Sequence, residues 1–164
     1  MKIGLISDTH DNQIAINKAV EFFNDEKVDL VLHGGDHIAP FTIKWFSKLK
    51  MKMIGVKGNL DAEYPTLERL YRENGWEFYR HSAILNLANK KIILLHGEDE
   101  NMVNALLKSN IYDVVVRGHL HRVINEWIGN TLHLSPGEAC GYLSGKRTVA
   151  LLKLPMITVE FIEI

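Results

Sequence analysis

The chain has 164 residues, a single cysteine and a net charge of -1 from 19 basic and 20 acidic side chains. A chain of this length buries roughly 68–70% of its unfolded surface on folding, so it suits one domain with a core of its own. The balanced charge excludes a general field for nucleic acid or an anionic membrane, and the lone Cys140 excludes an internal disulfide and points to a reducing compartment.

The first strand-like run, Lys2–Ser7, is broken by Ser7 and Asp8 too early to be a secretory h-region, and no apolar run approaches membrane-span length, so a soluble, cytoplasmic protein is expected. Asp11 or Asn12 then caps a helix whose apolar face is Ile16, Ala19, Val20 and Phe23. Leu30–His33 is the next strand, Pro40 opens a second helix, and Lys52–Lys57 follows as a strand. Pro65 opens a third helix that ends before Gly75. Ala83–Leu87 and Lys91–Leu95 are strands, and Asn101 to Ser109 is a helix with Val103, Leu106 and Leu107 inward. The last third is mostly β, with runs at Asp113–Arg117, Val123–Ile128, Thr131–Leu134, Thr148–Leu154 and Thr158–Ile164. Gly129-Asn130 and Leu154-Pro155 join antiparallel hairpins there. A βαβα half followed by β hairpins predicts an α/β protein with a second sheet stacked on the first. Nothing marks a linker or repeat, so one domain over residues 1–164 is expected.

The ends of the apolar runs share a feature. They lead into Asp8-Thr9-His10, Gly34-Gly35-Asp36, Gly58-Asn59, His96-Gly97 and Gly118-His119-Leu120-His121. In open α/β sheets, ligands occupy the crevice beyond the carboxyl ends of the strands, so these side chains should converge there. Two carboxylates, four imidazoles and one carboxamide make an oxygen and nitrogen cage suited to borderline divalent metals. Such a set exceeds the needs of one ion and suggests two ions sharing a carboxylate.

These motifs, in this order and spread over nearly the whole chain, resemble the calcineurin-like metallophosphoesterase superfamily, and the SPGE turn at Ser135 to Glu138 is similar to its small prokaryotic phosphodiesterase branch. The resemblance implies a four-layer α/β/β/α sandwich with two mixed sheets flanked by helices. It also implies that Asp8, His10 and His121 hold one metal, that Asn59, His96 and His119 hold the other, and that Asp36 bridges. Manganese is the expected ion, with nickel, iron, cobalt and zinc as alternatives. Two cations about 3.5–4 Å apart would make a shared hydroxide available for in-line attack on phosphorus. Asp61 is a candidate to fix an imidazole tautomer, and Arg122, His37 and Lys57 are candidate substrate contacts. His33 is expected to be a strand-end hydrogen-bonding residue, and His81 and His133 to be structural or exposed.

Two positions depart from the family pattern. Leu60 stands where many members carry a histidine that protonates the leaving group, and Glu98 stands where many carry another histidine after His96-Gly97. The favoured expectation is a metal-dependent phosphodiesterase acting on a small phosphate ester. The alternatives are a monoester phosphatase with the same site and a non-catalytic scaffold, a role the fold plays in a retromer subunit. No stable nucleic-acid or membrane partner is expected, and self-association stays open.

Overall fold

The computed structural model describes residues 1–164. Eleven strands form two sheets. The first sheet contains β1 (Lys2–Ile6), β2 (Leu30–His33), β3 (Lys52–Val56), β4 (Glu77–Tyr79), β10 (Thr148–Lys153) and β11 (Thr158–Glu163), in the order β11-β10-β1-β2-β3-β4. The second contains β5 (Ser82–Leu87), β6 (Lys90–Leu95), β7 (Val114–Arg117), β8 (Val123–Ile128) and β9 (Thr131–Pro136), in the order β5-β6-β7-β9-β8. Both sheets are mixed, with parallel β1, β2, β3 and β4 beside antiparallel β10 and β11, and parallel β6, β7 and β9 flanked by antiparallel β5 and β8.

The period-2 alternation of β-strands assigns the layers. Ile3, Leu5, Leu32 and Val56 face Leu94, Val114, Val116 and Leu134 in a core between the sheets. The opposite face of the first sheet, through Val31, Met53 and Leu151, is covered by α1 (Gln13–Asp25), a 3-10 helix (Pro40–Phe46) and α2 (Tyr64–Glu73). Ile93, Leu95 and Val115 on the far face of the second sheet pack against Val103 and Leu107 of α3 (Glu100–Lys108). The result is the α/β/β/α sandwich, and no helix is long and apolar enough to cross a membrane.

Several local expectations are refined. Asn12 rather than Asp11 caps α1, its side chain accepting from Ala15 N at 3.1 Å. The Pro40 segment closes into a 3-10 helix instead of an α-helix, and α3 starts one residue early because Asp99 caps it. Strand β4 has no counterpart in the sequence reading: three residues with an exposed-intermediate-exposed pattern offer no apolar run, and only pairing with β3 makes them a strand.

Candidate metal centre

The parallel strands of both sheets run out at one end of the sandwich, and their loops meet there through glycine. A Cβ on Gly34 would stand 2.6 Å from Ser7 Oγ, one on Gly118 would stand 3.1 Å from the Gly34 carbonyl oxygen, and one on Gly58 would collide with Asp36. Backbone bonds stitch the same loops, from Asp8 N to Gly35 O at 3.0 Å and from Gly118 N to His96 O at 3.1 Å. Asp8, His10, Asp36, His119 and His121 all have positive φ, between 40° and 69°. Non-glycine residues rarely adopt that region, and strain of this kind concentrates where side-chain direction matters.

All seven side chains come together, in two groups. In one, His121 Nε2 lies 3.4 Å and His10 Nε2 3.9 Å from Asp8 Oδ1. Together with an Asp36 oxygen, the ligand atoms of Asp8, His10 and His121 all lie within 4.8 Å of one another. In the other group, Asn59 Oδ1 lies 2.8 Å from His96 Nε2 and 3.1 Å from His119 Nδ1. Asp36 Oδ2 stands between them, 3.6 Å from His10 Nε2 and 3.5 Å from His96 Nε2. Its other oxygen, Oδ1, is taken by Leu60 N–H at 2.9 Å, so a single oxygen faces both groups.

The hydrogen bonds behind the imidazoles decide what faces inward. His96 Nδ1–H donates to Gly34 O at 2.8 Å, and His121 Nδ1–H donates to the Glu138 carboxylate at 2.7 Å. In the neutral ring, each Nε2 is then an acceptor that faces other acceptors, an arrangement that suits positive charge between them. His10 Nε2 has no hydrogen-bond partner at all. Burial pushes the His10 and His96 imidazoles toward the neutral form, but the Asp8 and Asp36 carboxylates outweigh it and raise both pKa values. Asp36 is raised by burial as well, yet its bond to His96 and the Leu60 N–H hold it below the usual carboxylate range. Burial and the neighbouring His96 move the His119 pKa downward, opposite to those of His10 and His96, and nitrogen with carboxylate and carboxamide oxygen fits borderline transition ions.

The supporting residues differ from expectation. Asp61 does not touch a candidate ligand imidazole. It accepts from Asp36 N at 3.1 Å, Gly58 N at 2.8 Å and Ile38 N at 2.8 Å, and bonds His37 Nδ1 at 3.2 Å, so it ties two ligand-bearing loops together. Those bonds and the His37 imidazole overcome the burial penalty and hold its carboxyl far below the usual range. His37 is not at the mouth: it is wholly buried, stacked on His33 at 3.7 Å and bonded to Tyr71 OH at 2.7 Å, so it cannot touch a substrate. Lys57 is half-buried with Nζ on Gly58 O at 2.9 Å, and Arg122 is exposed beside His121. The residue that sequence reasoning missed is Glu138, buried under His121 and bonded also to Cys140 Sγ at 3.0 Å, Leu143 N at 3.0 Å and Ser144 N. Burial raises its carboxyl, but the bonds from Ser144 and His121 prevail and hold it at about 2. Its one sequence signal was the SPGE turn, which carried no role.

Residues 1–155 match the calcineurin-like phosphoesterase superfamily domain. The chain is 39% identical over 153 residues to phosphodiesterase MJ0936 of Methanocaldococcus jannaschii, covering 93% of this chain and 92% of that one. A solved structure described as a novel archaeal phosphodiesterase superposes with a TM-score of 0.96 at 35% identity over all of both chains. Vps29 of Chaetomium thermophilum superposes with a TM-score of 0.74 at 16% identity, over 100% of this chain and 95% of that one, a likeness of fold alone.

Proposed function

The chain belongs to the calcineurin-like phosphoesterase superfamily, and from that membership we propose that it is a phosphodiesterase that hydrolyses small phosphate diesters with two divalent cations at the Asp36 site. Residues 1–164 act as a single metallophosphoesterase domain in this reading. Asp8, His10 and His121 would hold one cation, Asn59, His96 and His119 the other, with Asp36 facing both groups. Manganese heads the expected ions, ahead of nickel, iron, cobalt and zinc, and the lone buried thiol of Cys140 suits the reducing cytoplasm. The observation that carries the reading is the single Asp36 oxygen within 3.6 Å of an imidazole from each group.

Bound cations would supply the charge that offsets phosphoryl oxygens and acidifies a water. The protein's own residues do the rest. Asp61 and the Leu60 N–H fix the loop and the idle oxygen of Asp36, while the Gly34 carbonyl and Glu138 fix the directions of His96 and His121. Arg122, exposed and next to His121 in the chain, would be the side chain to meet a phosphoryl oxygen. Leu60, 51% exposed at the edge of the site, has no proton to give, which favours diesters with good leaving groups over monoesters and alkyl esters. The test is hydrolysis of bis(p-nitrophenyl) phosphate and of p-nitrophenyl phosphate before chelation, after it and after adding back manganese. Loss and recovery of activity, with the diester preferred, is the expected result. Full activity in verified metal-free protein ends the metal reading, and a preference for the monoester replaces the diesterase with a monoester phosphatase.

A further inference from the structure

A cleft of about 160 Å³ opens beside the candidate metal centre. The two segments that bring Asn59 and His96 to the centre run into it: Lys57 lies two residues before Asn59, and Gly97 and Glu98 directly follow His96. Lys57 and Arg80 come from the ends of β3 and β4 in the first sheet, whereas Glu98 and Asp99 come from the loop between β6 and α3 on the second. The cleft therefore bridges the two sheets at the end where the candidate ligands gather.

The charges in this cleft are held in place without being neutralised. Lys57 Nζ is fixed on the Gly58 carbonyl at 2.9 Å, and the Arg80 guanidinium lies over the Tyr64 ring at 4.9 Å from its centroid. A carbonyl and an aromatic face orient a cation but leave its charge available. Neither forms a salt bridge, unlike Lys2, Arg69 or Lys153. On the opposite wall, Asp99 is committed to capping α3, accepting from Asn101 N at 2.9 Å and Met102 N at 3.2 Å, where the helix N-terminus offsets its charge. Glu98 is exposed and has no ion-pair partner, so it remains a free acceptor. The wall that carries it is anchored from below by fully buried Arg117, which donates to the Gly97 carbonyl and to Glu100 Oε1 at 2.7 Å.

We propose that this cleft is a subsite for one ester arm of the substrate, and that it selects an arm carrying its own anionic group, a phosphate or carboxylate, with a neighbouring hydroxyl. Lys57 and Arg80 receive the anion, and Glu98 accepts from the hydroxyl. The proposal rests on the phosphodiesterase reading above and names the class of diester that reading leaves open. It also gives Glu98, a departure from the family pattern, a part in substrate choice.

The test uses the full chain loaded with manganese and three p-nitrophenyl phosphodiesters whose remaining arm is 2-carboxyethyl, propyl or choline. The leaving group is the same in all three, so differences in kcat/KM report the arm. The expected order is carboxyethyl, then propyl, then choline, with roughly tenfold between the first two, the size of effect that a pair of exposed charge contacts supports. In the double variant Lys57→Ala, Arg80→Ala the contrast should shrink toward unity. Arg80→Ala alone, at an exposed position where folding is not at stake, should reduce it in part. Equal kcat/KM for the three arms in the parent, or an order that survives intact in the double variant, overturns the subsite while leaving the phosphodiesterase standing. Failure to turn over any of the three overturns the phosphodiesterase reading and the subsite with it.

Discussion

Two clusters of imidazoles lie at the same end of the sandwich and are built to opposite purposes. Behind the site, His33 and His37 are stacked and fully buried, and every ring nitrogen has a partner: Thr9 and the Gly35 N–H for His33, Asp61 and Tyr71 for His37. Burial and the neighbouring His37 hold His33 well below the usual imidazole range, so it stays neutral. In front, His10, His96, His119 and His121 turn nitrogen atoms toward Asp8, Asp36 and Asn59, and the pKa values of His10 and His96 move the other way. The lesson is that a histidine after a strand becomes a metal-ligand candidate when its inward nitrogen is left without a donor. Proximity to carboxylates alone does not achieve this, since His37 also sits against one.

The comparison breaks most completely at Asp36, the residue on which the front cluster converges. Asp36→Asn should remove both cations and lower diester hydrolysis by about 10³-fold, the upper range for losing one preorganised electrostatic group. His10→Ala, which touches one group, should retain part of the metal and lose less rate. Equal metal content and rate in the two variants would show that Asp36 is not shared.

Adding an imidazole to the front cluster sharpens the contrast next. Leu60→His should raise kcat on alkyl diesters by roughly 10²-fold, the lower range for general acid catalysis, with little change for aryl diesters. The readout is the slope of rate against leaving-group pKa; a parent enzyme whose slope is already flat would show that another group donates the proton.

Smaller effects separate support from packing. Glu138→Gln keeps the shape but weakens the bond to His121 Nδ1, and should reduce metal affinity by about 10–100-fold in competition with a chromogenic chelator. Unchanged affinity would reduce Glu138 to a loop anchor for Leu143 and Ser144. Tyr71→Phe removes the hydroxyl from the back cluster and should cost about 1 kcal/mol. For a domain of this size, that shifts Tm by about 2–4 °C. Metal content per folded chain should not change. A loss of metal in Tyr71→Phe would mean that the two clusters are coupled rather than independent.

Much of the front cluster was legible because each ligand type follows an apolar run, and strand ends in such sheets are forced to one side. The layers were legible for the same reason: alternation in Lys2–Ile6 or Val114–Arg117 is local. What escaped depends on distant partners. His37 reads as a mouth residue until Tyr71, 34 positions away, takes its Nε2. Glu138 reads as a turn until His121, 17 positions earlier, is folded over it. Strand β4 reads as loop because pairing with β3, rather than any burial of its own, defines it. Arg80 and Glu98 have no visible relation until the two sheets stack.

On the proposed function, one carboxylate oxygen, Asp36 Oδ2, would serve two cations. Electron paramagnetic resonance of the manganese-loaded protein tests it most directly, because two manganese ions joined through a shared ligand give an exchange-coupled multiline spectrum whereas isolated ions give six lines. The coupled spectrum is expected at two equivalents of metal per chain, and it should disappear in Asp36→Asn. A six-line spectrum at one equivalent, in protein that hydrolyses diesters at its full rate, would contradict it.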